Sequence, residues 1–467
     1  MIYLPLIVIA ACAFGILLCE GWRLQKNVSF FLGLLALIAS LALLLNQEIQ
    51  PHLTFFSHSL KLDGIWYVST FFLIIISIFI FLLSHASLKP TKKEYFFFVL
   101  IALLGMSLIS ASNHLLMIFL SLELFSLCLY VLVTYNVSDV RANEAAMKYF
   151  ILGAFAAGFF VFGTALIYAV SGSFVLSDIG EVILAPSGYH PYLLMGVSLL
   201  FVSLAFKVAA VPFHMWVPDA YEGAPSVVTS FMATAVKIAA FSVLFRLFLT
   251  CFLPLKTYWH TSFFVLCIAT MVVGNVAALM QENLKRMLAY SAIAHSGYLL
   301  IAFISFQNIS DLAPLHAFWF YLAVYSVMNL GAFGVLAATG YETLKDFQGF
   351  GYRSAVLALL FSVFLMSLAG IPPTAGFLSK FYLFSAAIAS KQYILVVIAL
   401  INAFISVYYY LKVLIAMYMS ESIGGEKVSI SLPAQVTLGV MFALTIYLGL
   451  QPGILNDFIQ NAMRGVF

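Results

Sequence analysis

The chain has 467 residues, of which 64% are hydrophobic and only 8% are charged, and its formal net charge is +3. Its mean hydropathy is +1.10. Soluble domains are roughly 45 to 50% apolar and about 25% charged, so this composition excludes a soluble protein and indicates an integral membrane protein. No long polar block is present that would form a soluble nucleotide-binding or iron–sulfur domain, and we expect no nucleic-acid partner.

The five cysteines lie mostly in apolar runs and lack the spacing of metal ligands. The sequence also lacks the Gly-rich loop after a strand that binds nucleotide phosphates. We therefore interpret the cysteines as packing residues, and we expect neither a metal ion nor a cofactor in this chain.

The first predicted span, residues 4–19, is apolar and has no basic residue in front of it. This pattern argues against a cleaved signal peptide, which begins with a positively charged region. The first positive charges, Arg23 and Lys26, follow the span. Because basic residues favour the cytoplasmic side, we predict that the N-terminus lies outside.

Windows of about 20 apolar residues are long enough to cross a membrane as helices. They predict fourteen spans, near 3–19, 29–46, 65–84, 95–110, 114–135, 147–170, 192–221, 226–249, 261–280, 287–305, 312–339, 354–389, 393–418 and 433–450. The predicted fold class is an all-α polytopic membrane protein with about 14 transmembrane helices.

The basic residues test this count. With the N-terminus outside, twelve of them fall in predicted cytoplasmic loops and four in outside loops. This excess of Lys and Arg is the asymmetry that the positive-inside rule expects. An odd error in the number of spans would have mixed the two groups.

The most unusual stretch of the sequence is 203–225, which begins within the seventh predicted span. Lys207 stands inside the apolar run and Pro212 follows five residues later, so one predicted helix carries both a charge and a break. Proline lacks the N–H of a helical residue and frees backbone carbonyls, which are tolerated at membrane depth only beside protein or water. A lysine at the centre of a membrane helix costs roughly 2.5 to 3.5 kcal/mol, so Lys207 is a candidate functional residue.

A second stretch of this kind, 369–376, interrupts the twelfth predicted span shortly before Lys380. The two interrupted spans lie five spans apart, and because five is odd the two halves have opposite predicted topologies. We therefore predict discontinuous helices 7 and 12 within two inverted five-helix repeats. The predicted units are 1–94 with helices 1–3, 95–249 and 250–418 with the two repeats, and 419–467 with helix 14 and the tail.

Six titratable side chains lie within six different predicted spans: Glu123, Lys207, Lys237, His295, Lys380 and Lys412. Glu123, Lys207, Lys237 and Lys380 lie too far from the loops to reach the headgroups, which indicates a functional role. His295 also fits a core histidine bonded to a backbone carbonyl. Lys412 lies near the end of its span, where it can extend to the headgroups, and we expect the same of Arg246.

Smaller polar residues share helix faces with these groups. Two such stripes are Ser291, His295 and Tyr298 in the tenth span, and Asn402, Tyr409 and Lys412 in the thirteenth. Such stripes also form ordinary interhelical hydrogen bonds, so alone they do not separate packing from function. Asp219 and Glu222 follow the first break, and we expect them to cap or orient it.

Three segments carry a resemblance to a known family. They are 207–225, which begins Lys-Val-Ala-Ala-Val-Pro, 283–298, which contains Lys-Arg-Met-Leu-Ala-Tyr-Ser, and 370–381, which reads Gly-Ile-Pro-Pro-Thr-Ala-Gly-Phe-Leu-Ser-Lys-Phe. They resemble the most specific motifs of the antiporter-like subunits of respiratory complex I, a fold shared with subunits of multisubunit Na⁺/H⁺ antiporters. The resemblance covers essentially all of residues 1–460. Within this family the chain resembles the subunit N group, because it ends soon after the fourteenth span and has a lysine at position 380.

The resemblance implies a proton-translocating membrane subunit of an NADH-quinone oxidoreductase. It implies that Glu123 is the acidic partner of Lys207, that Lys237 is the central relay, and that His295 is an intermediate. Lys380 is then the site toward the outside half-channel.

The resemblance also implies the surroundings of the chain. NADH, FMN, the iron–sulfur clusters and quinone are expected in partner subunits. The neighbours are other membrane-arm subunits of complex I, including further antiporter-like subunits. The expected location is the bacterial inner membrane.

Two other functions fit the same residues. One is a subunit of a multisubunit cation/proton antiporter, which likewise has no cofactor in this chain. The other is a structural membrane scaffold whose buried charges only fix helix packing. Co-purifying chains distinguish the first two, because flavin and iron–sulfur subunits accompany an oxidoreductase and small antiporter subunits accompany an antiporter.

Overall fold

The computed structural model describes residues 3–21, 26–47, 54–55, 58–88, 94–185, 190–307, 312–421 and 428–464. Within these ranges the fold is almost entirely α-helical. The α-helices are Leu4–Gly21 (α1), Lys26–Leu45 (α2), Gly64–Ser87 (α3), Glu94–Ala111 (α4), Leu115–Val133 (α5), Val140–Ser171 (α6), Leu176–Leu184 (α7), Pro191–Lys207 (α8), Trp216–Gly223 (α9), Ser226–Arg246 (α10), Lys256–Leu279 (α11), Leu284–Ser305 (α12), Ala313–Thr339 (α13), Phe350–Arg353 (α14), Ala355–Ala369 (α15), Ala375–Ala389 (α16), Tyr393–Met419 (α17), Leu432–Leu450 (α18) and Gly453–Met463 (α19).

Eleven of the described helices are long and apolar enough to cross a membrane. Four further apolar helices are shorter, namely Leu4–Leu18, Pro191–Lys207, Ala355–Ala369 and Ala375–Ala389. The predicted fold class, an all-α polytopic membrane protein, is confirmed. The count of fourteen spans and the inverted repeats remain predictions.

The break in the seventh predicted span is present. Helix α8 ends at Lys207 and α9 begins at Trp216, with turns between them. Side chains take over hydrogen bonds that the helix no longer makes, because Trp216 Nε1 donates to the carbonyl of Phe206 over 2.9 Å. The N–H of Val211 donates to Thr270 Oγ1 on α11 over 2.9 Å. The non-helical backbone is thus enclosed by protein, the condition for such a segment at membrane depth.

The break in the twelfth predicted span is also present. Helix α15 ends at Ala369 and α16 begins at Ala375. Gly370 adopts φ +89°, a left-handed conformation that glycine reaches without a steric penalty. The N–H of Gly376 donates to Ser367 Oγ over 3.1 Å, which satisfies one of the free donors at the start of α16.

The centre of the bundle is formed by α10, α12 and α13. All of the most apolar window of α10 is buried, compared with 94% of that of α12 and 89% of that of α13. The corresponding window of α6 is only 33% buried. Helices hydrophobic on all sides are typical of a buried position in a membrane bundle. A charge on α10 or α12 is therefore enclosed by protein.

Several helix ends are capped by residues that suit the free backbone groups or the backbone conformation there. Asp63 caps the start of α3 by accepting a hydrogen bond from the N–H of Trp66 over 3.3 Å. Asn283 caps α12 in the same way through the N–H of Arg286 over 3.1 Å. Gly340, which has φ +71°, caps the end of α13.

Some elements are not among the predicted spans. Strands Thr54–Phe55 (β1) and Leu60–Lys61 (β2) pair antiparallel, with Thr54 opposite Lys61. The short helices α7, α14 and α19 lie in segments that the hydropathy pattern treats as connections. Hydropathy windows of about 20 residues do not detect helices of this length.

Candidate functional site

Lys207 is the last residue of α8, and only 2% of its surface is exposed. Its ammonium donates a hydrogen bond to Ser126 Oγ over 2.8 Å. The rings of Phe125, Tyr149 and Phe206 have their centroids 5.6 to 5.7 Å from the same nitrogen. Each such ring attracts a cation by about 0.5 to 2 kcal/mol. One hydroxyl and three aromatic faces therefore hold this charge.

Glu123 lies three residues before Ser126 on α5, so the two side chains share a helix face. It is half-buried and close enough to Lys207 for the two charges to interact. Among the ion pairs of the described residues, none within 4.0 Å joins Glu123 to Lys207. The pairing of these two groups stays a prediction, and in this structure the lysine binds Ser126 instead.

Lys237 lies on the central helix α10, and only 2% of its surface is exposed. Its ammonium donates to the backbone carbonyl of Ala292 and, over 2.7 Å, to Ser296 Oγ, both on α12. The ring of Tyr325, on α13, has its centroid 4.9 Å from the same nitrogen. Three helices thus meet around this one charge.

His295 lies on α12 beside Lys237. Its Nδ1 is 2.7 Å from Tyr321 Oη, and either atom can be the donor because the tautomer sets the roles. The imidazole ring lies 5.2 Å from the ring of Tyr325, centroid to centroid. Tyr325 therefore contacts both Lys237 and His295, and it lies between the two titratable groups.

Lys380 lies on α16, just after the second break, and 5% of its surface is exposed. Its ammonium donates to the carbonyls of Leu368 and Ala369, over 3.0 and 2.8 Å. These belong to the last turn of α15, whose carbonyls lack partners within the helix. The ring of Tyr298 lies 5.3 Å from the same nitrogen. The break therefore supplies the acceptors that hold this lysine.

A cavity of about 350 Å³ between α16 and α17 adjoins Lys380. Its lining includes Gly370 at the break and Phe384, and it extends to the exposed side chains of Phe381 and Phe404. Lys380 is the charged group in this apolar lining.

The predicted site residues fall into two groups. Glu123 and Lys207 lie with Ser126 and Tyr149 among α5, α6 and α8. Lys237 and Lys380 contact α12, the helix that carries His295. Tyr325 contacts Lys237 and His295, and Tyr298 contacts Lys380. No direct contact of Lys207 with Lys237 occurs among the hydrogen bonds and ring contacts of the described residues.

Several buried hydroxyls beside these lysines have no hydrogen-bond partner among the described residues. They include Tyr149 Oη near Lys207 and Tyr325 Oη between Lys237 and His295. A buried polar group without a partner costs about 1 to 3 kcal/mol. Both hydroxyls are therefore available to bind a further polar group in the site.

The prediction that Arg246 extends to the headgroups is wrong. Arg246 is buried and forms a two-pronged ion pair with Asp63, in which Nη1 and Nη2 lie 2.8 and 2.7 Å from the carboxylate oxygens. It also donates to the carbonyl of Ser110 at the end of α4. A buried arginine requires such partners. The available signal was Asp63 itself, which stands at the N-cap position before an apolar run.

A second group of charges that sequence reasoning did not connect ties the first break to α12. Arg286, near the start of α12, donates to Asp219 over 2.7 Å and to Glu222 over 2.9 Å. Lys148 on α6 binds the other oxygen of Asp219 over 2.9 Å and also contacts Glu144. We call these five residues the ion cluster. It fixes α9 between α6 and α12, as expected for residues that orient the break.

The ion cluster changes the titration of Asp219. Burial raises the pKa of this carboxyl, but the hydrogen bonds from Lys148 and Arg286 lower it more, so its pKa lies below the usual value. The carboxylate form is therefore favoured by the fold.

No group of three or more His, Cys, Asp or Glu side chains able to hold a metal ion occurs in the parts of the chain that the structure describes.

Comparison with known proteins identifies the family. Residues 112–406 match the family described as "NADH:quinone oxidoreductase/Mrp antiporter, TM". The chain is 41% identical over 390 residues to the NADH-quinone oxidoreductase subunit N of Trichlorobacter lovleyi, which covers 82% of this chain and 77% of that protein.

Solved structures with similar folds come from the same kinds of complex. A chain of respiratory complex I from Thermus thermophilus is 33% identical, and the match has a TM-score of 0.82 and covers 97% of this chain and 98% of the other. A chain of the Mrp complex from Dietzia sp. DQ12-45-1b has a TM-score of 0.82, with 100% and 96% coverage, but only 20% identity, so that likeness shows the fold alone. The chain therefore belongs to the NADH-quinone oxidoreductase subunit N family.

Proposed function

We propose that this chain is the proton-translocating subunit N of an NADH-quinone oxidoreductase, and that it moves protons along Glu123, Lys207, Lys237, His295 and Lys380. The observation that carries the proposal is the burial of three lysines whose hydrogen-bond acceptors are all uncharged: a serine hydroxyl, a serine hydroxyl with a carbonyl, and two carbonyls. Ionisable groups buried in membrane segments mark ion pathways.

The proposed cycle uses Glu123 as a switch. A charge pair about 4 Å apart attracts by roughly 4 kcal/mol at an effective dielectric of about 20, and by roughly 2 kcal/mol at about 8 Å. Moving one charge against 100 mV costs about 2.3 kcal/mol. Closing or opening the Glu123–Lys207 pair therefore changes the electrostatic energy by about as much as it costs to move one charge across the membrane.

The protons then have to cross between the two groups of site residues. Tyr149 Oη and Tyr325 Oη are buried hydroxyls free to bind water. Ordered water beside these groups, linking Lys207, Lys237, His295 and Lys380, is part of the proposal. The two helix breaks allow this, because irregular backbone at membrane depth lines water or protein.

The finer architecture belongs to the same proposal. Helices α1, α8 with α9, and α15 with α16 complete fourteen spans, spans four to eight and nine to thirteen form the inverted repeats, and the N-terminus lies outside the bacterial inner membrane. NADH, FMN, iron–sulfur clusters and quinone bind to partner subunits. Neighbouring membrane-arm subunits, including antiporter-like ones, pack against this chain.

The experiment that tests the proposed function is purification of the chain with its partners, followed by reconstitution into liposomes. We expect flavin and iron–sulfur subunits to co-purify and NADH oxidation to acidify the lumen. The family description also names Mrp antiporters, so the second candidate is a cation/proton antiporter subunit. Small antiporter subunits, with Na⁺-driven proton exchange and no NADH oxidation, would establish that candidate instead.

A further inference from the structure

A cluster of buried hydroxyl and amide groups extends from Lys380 and is not part of the relay described above. It consists of Ser291 and Tyr298 on α12, Asn275 on α11, and Asn402, Tyr409 and Tyr410 on α17. All six residues are at most 2% exposed. We call them the polar cluster.

The members of the polar cluster are joined by hydrogen bonds. Tyr409 Oη donates to Asn275 Oδ1 over 3.1 Å. Asn275 Nδ2 lies 3.5 Å from Tyr298 Oη and 3.3 Å from Asn402 Oδ1. Asn275 thus connects a hydroxyl on α17 with a hydroxyl on α12.

The other end of the polar cluster is also connected. Tyr410 Oη and Ser291 Oγ are hydrogen-bonded, and the rings of Tyr409 and Tyr410 lie 4.4 Å apart, centroid to centroid. Tyr298, at the near end, places its ring against the Lys380 ammonium at 5.3 Å. The series therefore runs from Lys380 through Tyr298 and Asn275 to Tyr409, Tyr410 and Ser291.

The polar cluster has a direction along the bundle. Ser291 lies seven residues before Tyr298 on α12, which is about 10 Å closer to the start of that helix. The start of α12 carries Arg286 of the ion cluster. Lys412, half-buried, follows Tyr409 by three residues on α17 and so shares its helix face. In the proposed topology this end of the bundle is cytoplasmic.

We propose that the polar cluster is a cytoplasmic proton input to Lys380, separate from the path through Lys207 and Lys237, with Lys412 at its mouth. This inference rests on the proposed function and topology. At each hydroxyl an oxygen lone pair accepts one proton while the original O–H proton passes on, so no hydroxyl changes its net charge. Neutral Lys380 takes the last proton and becomes the ammonium seen on the carbonyls of Leu368 and Ala369.

Asn275 acts as a positioning residue in this path. An amide does not readily relay a proton, but its oxygen and nitrogen hold Tyr409 and Tyr298 in place at opposite ends. Water supplies the remaining links, including the one from Tyr298 Oη to Lys380.

The test uses the purified complex in liposomes and measures the rate of NADH-driven proton pumping at equal amounts of assembled subunit. Tyr409→Phe keeps the ring and removes the hydroxyl, and we expect about a tenfold slower pumping rate, since a positioned proton-transfer group contributes at least that much. The matched control is Tyr408→Phe, because Tyr408 is 66% exposed on the same helix. It should pump like the parent.

Tyr409→His distinguishes proton transfer from packing. A histidine can carry a proton but fits the space of a tyrosine ring less well than phenylalanine does. Proton input predicts that Tyr409→His pumps faster than Tyr409→Phe, whereas a packing role predicts the reverse. Parent-like pumping by Tyr409→Phe, or pumping by Tyr409→His no faster than by Tyr409→Phe, would overturn the proposal.

A cysteine variant tests from which side of the membrane the protons enter. Lys412→Cys is treated with a membrane-impermeant thiol reagent added to one side, and the parent protein, treated in the same way, controls for reaction of the native cysteines. We expect modification from the cytoplasmic side to slow pumping. Modification only from the outer side would contradict the inference. Lys237→Ala, measured in parallel, separates the two proposals. Parent-like pumping by Lys237→Ala refutes the proposed function. If Lys237→Ala does not pump but Tyr409→Phe pumps like the parent, only the proposed proton input is refuted.

Discussion

At the scale of single residues, the three buried lysines of the proposed relay share one feature: their ammonium groups are held by neutral acceptors. Lys207 binds Ser126, Lys237 binds Ser296 and a carbonyl, and Lys380 binds two carbonyls. A neutral acceptor lacks the attraction between two full charges, which is roughly 4 kcal/mol for a carboxylate about 4 Å away at an effective dielectric of about 20. Each lysine can therefore exchange its partner at a modest energetic cost, as a relay requires.

Glu123→Gln tests whether the carboxylate drives the exchange at Lys207. Removing the charge deletes the roughly 2 kcal/mol gained when the pair closes from about 8 to about 4 Å. We expect Glu123→Gln to slow NADH-driven pumping strongly, and Glu123→Asp to slow it less because the charge is kept. Glu94→Gln, at the exposed start of α4, is the control. Parent-rate pumping by Glu123→Gln would make this carboxylate structural.

Gly370→Ala tests the environment of Lys380. At Gly370 an added Cβ would lie 3.0 Å from Lys380 Cδ and 3.2 Å from its Nζ. Gly340 has a similar positive φ, +71°, but nothing lies within 4 Å of an added Cβ. Both variants carry a backbone penalty of about 1 to 2 kcal/mol, but only Gly370→Ala displaces the lysine. We expect Gly370→Ala alone to lose pumping at equal assembly, and equal pumping by both would count against the account.

At the scale of helices, the buried ion pair Arg246–Asp63 anchors α10, which carries Lys237, to the start of α3 and the end of α4. Asp63→Ala leaves a buried arginine without its partner, which costs about 3 to 5 kcal/mol. We expect much less of this subunit in the solubilised complex. The double variant Asp63→Leu with Arg246→Met removes both charges and should recover most of the assembly. Normal assembly of Asp63→Ala would show that this anchor is dispensable.

The ion cluster predicts a dependence of stability on pH. Because the fold lowers the pKa of Asp219, its contribution to stability is complete above the unfolded pKa, about 3.9, and is lost as pH falls through the lower folded pKa. The thermal midpoint of the complex should therefore fall less steeply toward acid pH in Asp219→Asn than in the parent. Asp178→Asn, whose carboxylate bonds serine hydroxyls, is the control. Identical slopes for Asp219→Asn and the parent would contradict this assignment.

Much of the helix pattern could be predicted from the sequence, because an apolar run of membrane length and a proline inside it act locally. Both breaks were located in this way, at Pro212 and at 371–376. Interactions that join distant segments could not be predicted. Hydropathy predicts only how deep in the membrane Arg246 lies, and it does not reveal the partner Asp63, which is 183 residues away in the sequence. The partner of Arg286 at Asp219 was hidden for the same reason.

The candidate functional site was likewise predictable only in part. Burial of Lys207, Lys237, His295 and Lys380 follows from their places in apolar spans, and the structure places all four inside the bundle. The acceptors do not follow, because Ser126, Ser296 and the carbonyl of Leu368 come from other helices. Helical spacing indicated the stripe of Asn402 and Tyr409, but the connection to Asn275 required the packing of α11 on α17.

At the scale of the whole molecule, the residues of the proposed relay form two groups, one beside the centre of the bundle and one within it. Lys207 lies among α5, α6 and α8, whereas Lys237 and His295 lie on the central helices α10 and α12, and Lys380 lies on α16, which packs against α12 and α13. The ion cluster ties α9, which follows the first break, to the start of α12. A movement at the first break therefore has a direct mechanical connection to the helix that binds Lys237.

The central claim is that Lys207 releases and regains a proton during turnover. The most direct measurement is NADH-driven proton pumping by the reconstituted complex with Lys207→Ala and Lys207→Arg, at equal amounts of assembled subunit. The account predicts no pumping with alanine and little with arginine, which keeps the charge but does not give up its proton. Parent-rate pumping by both variants would contradict the relay and leave Lys207 as a structural charge.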